Sequence, residues 1–127
     1  MRKVILFLPI FLMSVMMSGG PVKGTASYYG QHWTGRKTAS GETFYSDSLT
    51  AAHKYYKFGT IVKVTNLKNN DTILVKVNDR LPKSSKMVID LSYGCAKELN
   101  IIRTGVIPVS LEIVDTVPVR KLSLIHI

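Results

Sequence analysis

Hydrophobic and polar positions alternate most plainly in the middle of the chain. Thr60-Ile-Val-Lys-Val-Thr-Asn-Leu and Thr72-Ile-Leu-Val-Lys-Val-Asn-Asp place Val62 and Val64 on one face and Ile73, Val75 and Val77 on another, the period of a half-buried strand. Lys68-Asn69-Asn70-Asp71 between them is turn chemistry, because Asn and Asp tolerate positive φ. A β-hairpin is therefore expected. Met87-Val-Ile-Asp-Leu and Ile107-Pro-Val-Ser-Leu-Glu-Ile-Val read as further strands, the second with Pro108 near its start, where a missing N–H is tolerated. Ser92 to Asn100 is the one helix the pattern predicts, opened by Ser92 as N-cap and turning Cys95, Ala96 and Leu99 toward a core. No internal repeat, linker or low-complexity run interrupts the pattern. The chain is thus expected to be mainly β. A closed barrel of about six strands with one or two short helices accounts for it, since closure removes exposed strand edges.

The two ends read differently. Arg2 and Lys3 precede Val4 to Met17, fourteen residues broken only by Pro9 and Ser14, a basic start followed by an apolar run of signal-peptide type. It is short for a membrane span. Residues 1–23 are expected to be a signal peptide or a retained N-terminal anchor, which directs the chain to the periplasm or cell envelope. No cysteine follows the apolar run, so lipidation is not expected. Residues 116–127 read as a C-terminal tail, truncated or artefactual: Leu122-Ser-Leu-Ile-His-Ile resembles a translated sequencing adapter, the alternative being a short apolar strand. His126 accordingly carries no functional weight. Residues 24–115 remain as one domain, expected to act as a monomer, and 127 residues exclude two full domains.

Charge narrows the partners. The chain holds 17 basic and 8 acidic residues. Arg2, Lys3 and Lys23 are basic residues outside the barrel segment, so from Gly24 onward the excess is about +6. Exported basic domains meet anionic wall polymers and lipid headgroups, or are charged for solubility. Nucleic acid is not expected, because no basic helix, zinc motif or stacking platform accompanies the charge. The single Cys95 excludes an internal disulfide and reads as a small buried hydrophobe. His32, His53 and His126 share no ligand spacing, so neither a metal nor another cofactor is expected.

Six blocks in order carry a resemblance: Gly24-Thr-Ala-Ser-Tyr-Tyr-Gly, Thr34-Gly-Arg-Lys-Thr-Ala-Ser-Gly-Glu-Thr-Phe, Leu49-Thr-Ala-Ala-His, Phe58-Gly-Thr-Ile-Val-Lys-Val-Thr-Asn-Leu, Val77-Asn-Asp-Arg and Ile89-Asp-Leu-Ser. With them the segment from Gly24 to Val114 resembles the rare lipoprotein A family, whose fold is a six-stranded double-psi β-barrel shared with barwin-like and expansin-like domains. The resemblance implies a protein of the periplasm or cell surface that binds peptidoglycan glycan strands and cleaves them as an endolytic transglycosylase. The alternative is a noncatalytic, expansin-like wall-binding module. It also implies functional groups at Glu42, His53 and Asp79. Two departures stand out. Tyr45 occupies the position where the family usually has an aspartate, and Leu81-Pro82-Lys83 stands where many members have Gly-Pro and an aromatic.

The residues support that chemistry in part. Breaking a glycosidic bond needs an acid for the leaving oxygen, and a transglycosylase then uses the sugar's own hydroxyl as nucleophile, so one carboxyl can serve as acid and then base. Of the eight acidic residues, Asp71 lies in a turn, Asp115 in the tail, and Glu98 and Glu112 on exposed faces, which leaves Glu42, Asp47, Asp79 and Asp90. Asp79 is the expected acid, with turn-capping as its bland alternative. Glu42 reads equally as a groove residue or a solvated loop charge. His53 reads as a proton shuttle or as a buried histidine bonded to backbone. Asp90, between Ile89 and Leu91, reads as a structural partner of backbone N–H groups. Trp33, Arg36, Tyr45, Asn78 and Arg80 are the expected glycan contacts, Trp33 as a stacking face.

Overall fold

The computed structural model describes residues 20–116. The expected signal or anchor lies outside them except for its last four residues, of which Val22 and Lys23 already belong to the first strand. Of the expected tail only Thr116 is described, as the end of the last strand.

Six strands form the structure: β1 (Val22–Tyr28), β2 (Thr50–His53), β3 (Thr60–Asn66), β4 (Thr72–Arg80), β5 (Ile89–Leu91) and β6 (Ile107–Thr116). They close into a barrel in the order β1-β5-β2-β4-β3-β6. The β1–β5 and β2–β4 pairs are parallel and the other four antiparallel. Among the described residues one α-helix, α1 (Tyr93–Glu98), and one 3-10 turn (Gln31–Trp33) accompany the strands. The chain is thus the mainly β, six-stranded barrel that its sequence leads one to expect.

The hairpin forms as the alternation predicts. Val62, Val64, Val75 and Val77 are fully buried while Lys63 faces out, and Asn70 turns the chain at φ 66°. Ile89, Leu91, Val109 and Leu111 complete the interior, and Cys95, Ala96 and Leu99 of α1 pack into the same cluster. Burial pushes the Cys95 thiol up to about 11, so it behaves as an inert small side chain. Ser92 caps α1 by accepting from the Cys95 amide at 3.2 Å. The helix ends sooner than expected, because Asn100 takes a left-handed φ of 59°. Strand β5 is also shorter than its apolar run. The Met87 amide is taken by the Ser85 hydroxyl, a local turn that competes with the ladder.

Candidate active site

Three neighbouring strands build the site. In β4, Val75 and Val77 point into the core, and a period of two would send Asp79 inward as well. A register shift prevents this: Ala51 pairs with Val77, but Ala52 pairs with Asp79. Asn78 is therefore the extra residue of a bulge, which re-aims the side chains after it. Ala52 pairs on its other side with Asp90, and Asp90 with Ser27 of β1. Residues directly opposite one another in neighbouring strands share a face. Asp79 and Asp90 thus stand on one face with only the methyl group of Ala52 between them, their backbones two strand spacings, or roughly 10 Å, apart. Both line a cavity of about 580 Å³ with Tyr29, Trp33, Arg80 and Pro82.

The two carboxyl groups have different surroundings. Asp79 accepts hydrogen bonds from the Tyr29 hydroxyl and from the Ala39 and Arg80 amides, each at 2.9 Å. Asp90 accepts from the Ser27 hydroxyl at 2.9 Å, a side-chain partner in place of the backbone amides its sequence context suggests. Burial pushes Asp90 up to about 6 and the Asp79 charge adds to the rise, against the Ser27 bond. Burial, followed by the same Asp79 charge, raises the Tyr29 phenol well above its usual range, so it remains a donor. The pair therefore combines a carboxyl fixed by three donors with one that keeps its proton well above the ordinary aspartate range, up to about pH 6. Such a split is what acid and charge-stabilising roles require.

Trp33 ends the 3-10 turn, 43% exposed, with the Arg36 guanidinium 4.9 Å from its ring centre. A smaller cavity between Trp33, Arg36, Phe44 and Asp79 adjoins the main one. Arg80 lies at the groove's edge, its guanidinium donating to the His53 and Asp79 carbonyls at 3.2 and 3.3 Å.

The other sequence-predicted residues sit elsewhere. Residues 34–48 fold back on themselves through Gly35–Phe44 and Phe44–Arg36 backbone bonds of 2.8 Å, and Gly41 makes the turn at φ +92°, a conformation that favours glycine. Glu42 leaves this turn and accepts from Lys76 at 2.9 Å and Asn78 at 3.0 Å. Burial pushes its carboxyl up, but these two donors outweigh it and hold the group below its ordinary value. Glu42, Asn78 and Tyr45 line a separate cavity of about 400 Å³ with Ser48, Thr50 and Lys76. Glu42 thereby ties its loop to β4, the same loop whose Ala39 amide binds Asp79. His53 is 3% exposed. Its Nδ1 accepts from the Tyr55 and Tyr56 amides at 3.2 and 3.1 Å, and its ring stacks on Tyr56 at 3.5 Å. Burial, then Arg80 and Lys54, hold its pKa down to about 4, so the ring is neutral. Asp47 is exposed, 3.7 Å from Lys97. Among the described residues no group of three or more His, Cys, Asp or Glu is placed to hold a metal ion.

Ala52 and Tyr29 are site residues that the sequence does not single out, and Asp90 is one that it suggests only as a structural partner. Alternation about Ile89 and Leu91 does turn Asp90 away from the core. Its neighbours across two strands, however, are a property of topology.

Residues 22–111 match the family described as lytic transglycolase. The chain is 46% identical over 101 residues to the endolytic peptidoglycan transglycosylase RlpA of Campylobacter jejuni, covering 80% of this chain and 37% of that protein. It is 50% identical over 92 residues to a probable endolytic peptidoglycan transglycosylase RlpA of Synechocystis, covering 72% and 29%. Against the RlpA of Pseudomonas aeruginosa PAO1 the identity is 47% over 94 residues, covering 74% and 28%. The chain thus spans well under half the length of these curated relatives. Among solved structures, the Streptomyces papain inhibitor superposes with a TM-score of 0.64 at 24% identity, covering 78% of this chain and 98% of that one. The apo expansin of Clavibacter michiganensis gives 0.62 at 24%, covering 78% and 52%. Both share the fold.

Proposed function

The chain belongs to the lytic transglycolase family, and on that premise we propose that it is a cell-envelope enzyme that cleaves peptidoglycan glycan strands internally by transglycosylation. The observation that carries this reading is the Asp79 and Asp90 pair across Ala52, one partner raised to about 6, in a groove beside an exposed tryptophan. The sequence points to Asp79 as the acid. The geometry favours Asp90 for the proton and leaves the charge to Asp79.

In this mechanism the Asp90 carboxyl protonates the bridging glycosidic oxygen as its bond to C1 breaks. The oxocarbenium-like sugar is stabilised by the Asp79 carboxylate, which Tyr29 and two backbone amides hold in place. Asp90, now ionised, accepts the proton of the sugar's own C6 hydroxyl while O6 bonds to C1. The products are an anhydro sugar and a strand with a new free hydroxyl, and no water is consumed. Trp33 offers a stacking face and the Arg36 guanidinium offers N–H donors to the sugar hydroxyls. Glu42 and His53 act through the loop and strand that position Asp79 and Arg80. The test is digestion of purified, stem-peptide-free glycan strands with mass detection of the ends: anhydromuramyl termini are expected, and reducing termini or intact strands would overturn the mechanism.

A noncatalytic wall-binding module is the second reading. One observation favours it, the presence of Tyr45 in the Glu42 cavity where the resemblance leads to an aspartate. Intact but tightly bound strands in the same digestion would establish it.

A further inference from the structure

A second aromatic cluster borders the carboxyl groove, on a different loop from Trp33. Tyr55 is 66% exposed and Phe58 41% exposed, large rings left at the surface while Tyr56 between them packs against the core. The Tyr55 ring is held edge-on by His53 at 4.9 Å and by Tyr56 at 5.5 Å. Its support is the buried His53 ring stacked on the partly buried Tyr56, with His53 anchored by two backbone amides. The cluster joins the groove through Arg80. That guanidinium lies 4.2 Å over the Phe58 ring, is fixed by the His53 and Asp79 carbonyls, and lines the same cavity as Asp79, Asp90 and Trp33.

A sugar ring presents a flat face of C–H groups and an edge of hydroxyls. Its recognition calls for an aromatic face beside planar, preorganised donors, and a fixed guanidinium backed by a ring supplies the second of these. Rigid aromatics also lose little side-chain entropy on contact. An enzyme that cuts inside a strand must in addition hold sugars on both sides of the bond it breaks, whereas Trp33 alone offers a single stacking face. We propose that Tyr55, with Arg80 backed by Phe58, forms a second sugar subsite that continues the groove beyond the carboxyl pair, so that the strand is gripped on two loops at once. This rests on the glycan-cleaving reading of the groove and adds its far grip.

The test is binding of stem-peptide-free peptidoglycan glycan strands, measured by calorimetry, with Asp90→Asn as the parent so that cleavage does not consume the ligand. Into it are placed Tyr55→Ala, Tyr55→Leu, Phe58→Leu and, for comparison, Trp33→Ala. Tyr55→Leu keeps an apolar group against His53 and removes only the ring face, which guards against misreading a packing defect. Each variant at positions 55 and 58 is expected to weaken binding about tenfold, roughly 1.4 kcal/mol. Parent-like affinity in all three, with Trp33→Ala alone weakened, would overturn the subsite and leave the glycan reading standing. Absence of binding by the parent and by the unsubstituted protein would overturn both.

Discussion

Replacing Asp90 with asparagine should move activity and stability in opposite directions. The amide keeps the size of the carboxyl and its place between Ser27 and Ala52, but it cannot deliver a proton. Loss of general acid catalysis alone costs on the order of 10² to 10⁴ in rate. Stability follows from the same raised pKa. With the carboxyl at about 6 when folded, against an ordinary value of 3.8, the wild-type group is penalised as it ionises. The folded state is favoured while the group is neutral, and this advantage is lost as the pH rises through 6. Two pH units correspond to about 3 kcal/mol, and partial solvent screening reduces that to roughly 1–2 kcal/mol. Asn carries no such penalty. Asp90→Asn should therefore raise the melting temperature at pH 8 by about 5–15 °C for a domain of this size, and leave it unchanged near pH 3.5. Thermal unfolding at the two pH values, beside the product assay, checks both halves. Retained cleavage, or a melting temperature that falls at pH 8, would refute the assignment of the proton to Asp90.

Asp79→Asn should keep one oxygen to accept from the Ala39 and Arg80 amides while its NH2 donates to the Tyr29 hydroxyl, lower kcat about a hundredfold through loss of the stabilising charge and leave glycan affinity within twofold, as read by single-turnover kinetics and calorimetry. Tyr45→Asp should change the cleavage rate less than threefold, because Tyr45 faces the Glu42 cavity and not the carboxyl pair; a tenfold rise would place the missing aspartate in the mechanism. His53→Ala should lower stability by about 3 kcal/mol, since it empties a buried site and strands two backbone amides, as urea unfolding would measure. In the wild type, the neutral His53, held down to about 4, stabilises the fold fully above the unfolded value of 6.5. That contribution is lost as the pH falls from 6.5 toward 4, a loss absent from the variant.

The strands that alternate were legible in the sequence because half-burial writes itself as a period of two: β3, β4 and β6 follow their valines and leucines. Ser92 announced α1 by its cap. Strands β1 and β2 left no such trace. β2 is Thr50-Ala-Ala-His53, buried along its whole length, so nothing alternates, and β1 is interrupted by Gly24-Thr-Ala-Ser. Only the motif resemblance marked those segments. Of the site, Asp79 and Trp33 were legible as chemistry-bearing types in loops or strand ends. The bulge at Asn78 and the parallel pairing of β2 with β4 set Asp79 in line with Ala52 and Asp90, and these are non-local facts. The same topology separates Glu42 and His53 from the groove, although sequence motifs group all three. His53 illustrates the physical reason: its ring completes the backbone turn of residues 54–56, a structural need that a catalytic reading of a lone histidine does not reveal.

The proposed mechanism requires Asp90 to hold its proton up to about pH 6 while facing the groove. A pH titration of the side-chain carboxyl carbons by ¹³C NMR, with Asp90 assigned through the Asp90→Asn spectrum, measures this directly. A midpoint near 6 that falls on Asp79→Asn is the expected result, because the Asp79 charge contributes to the rise. A midpoint near 4, unmoved by Asp79→Asn, would contradict it.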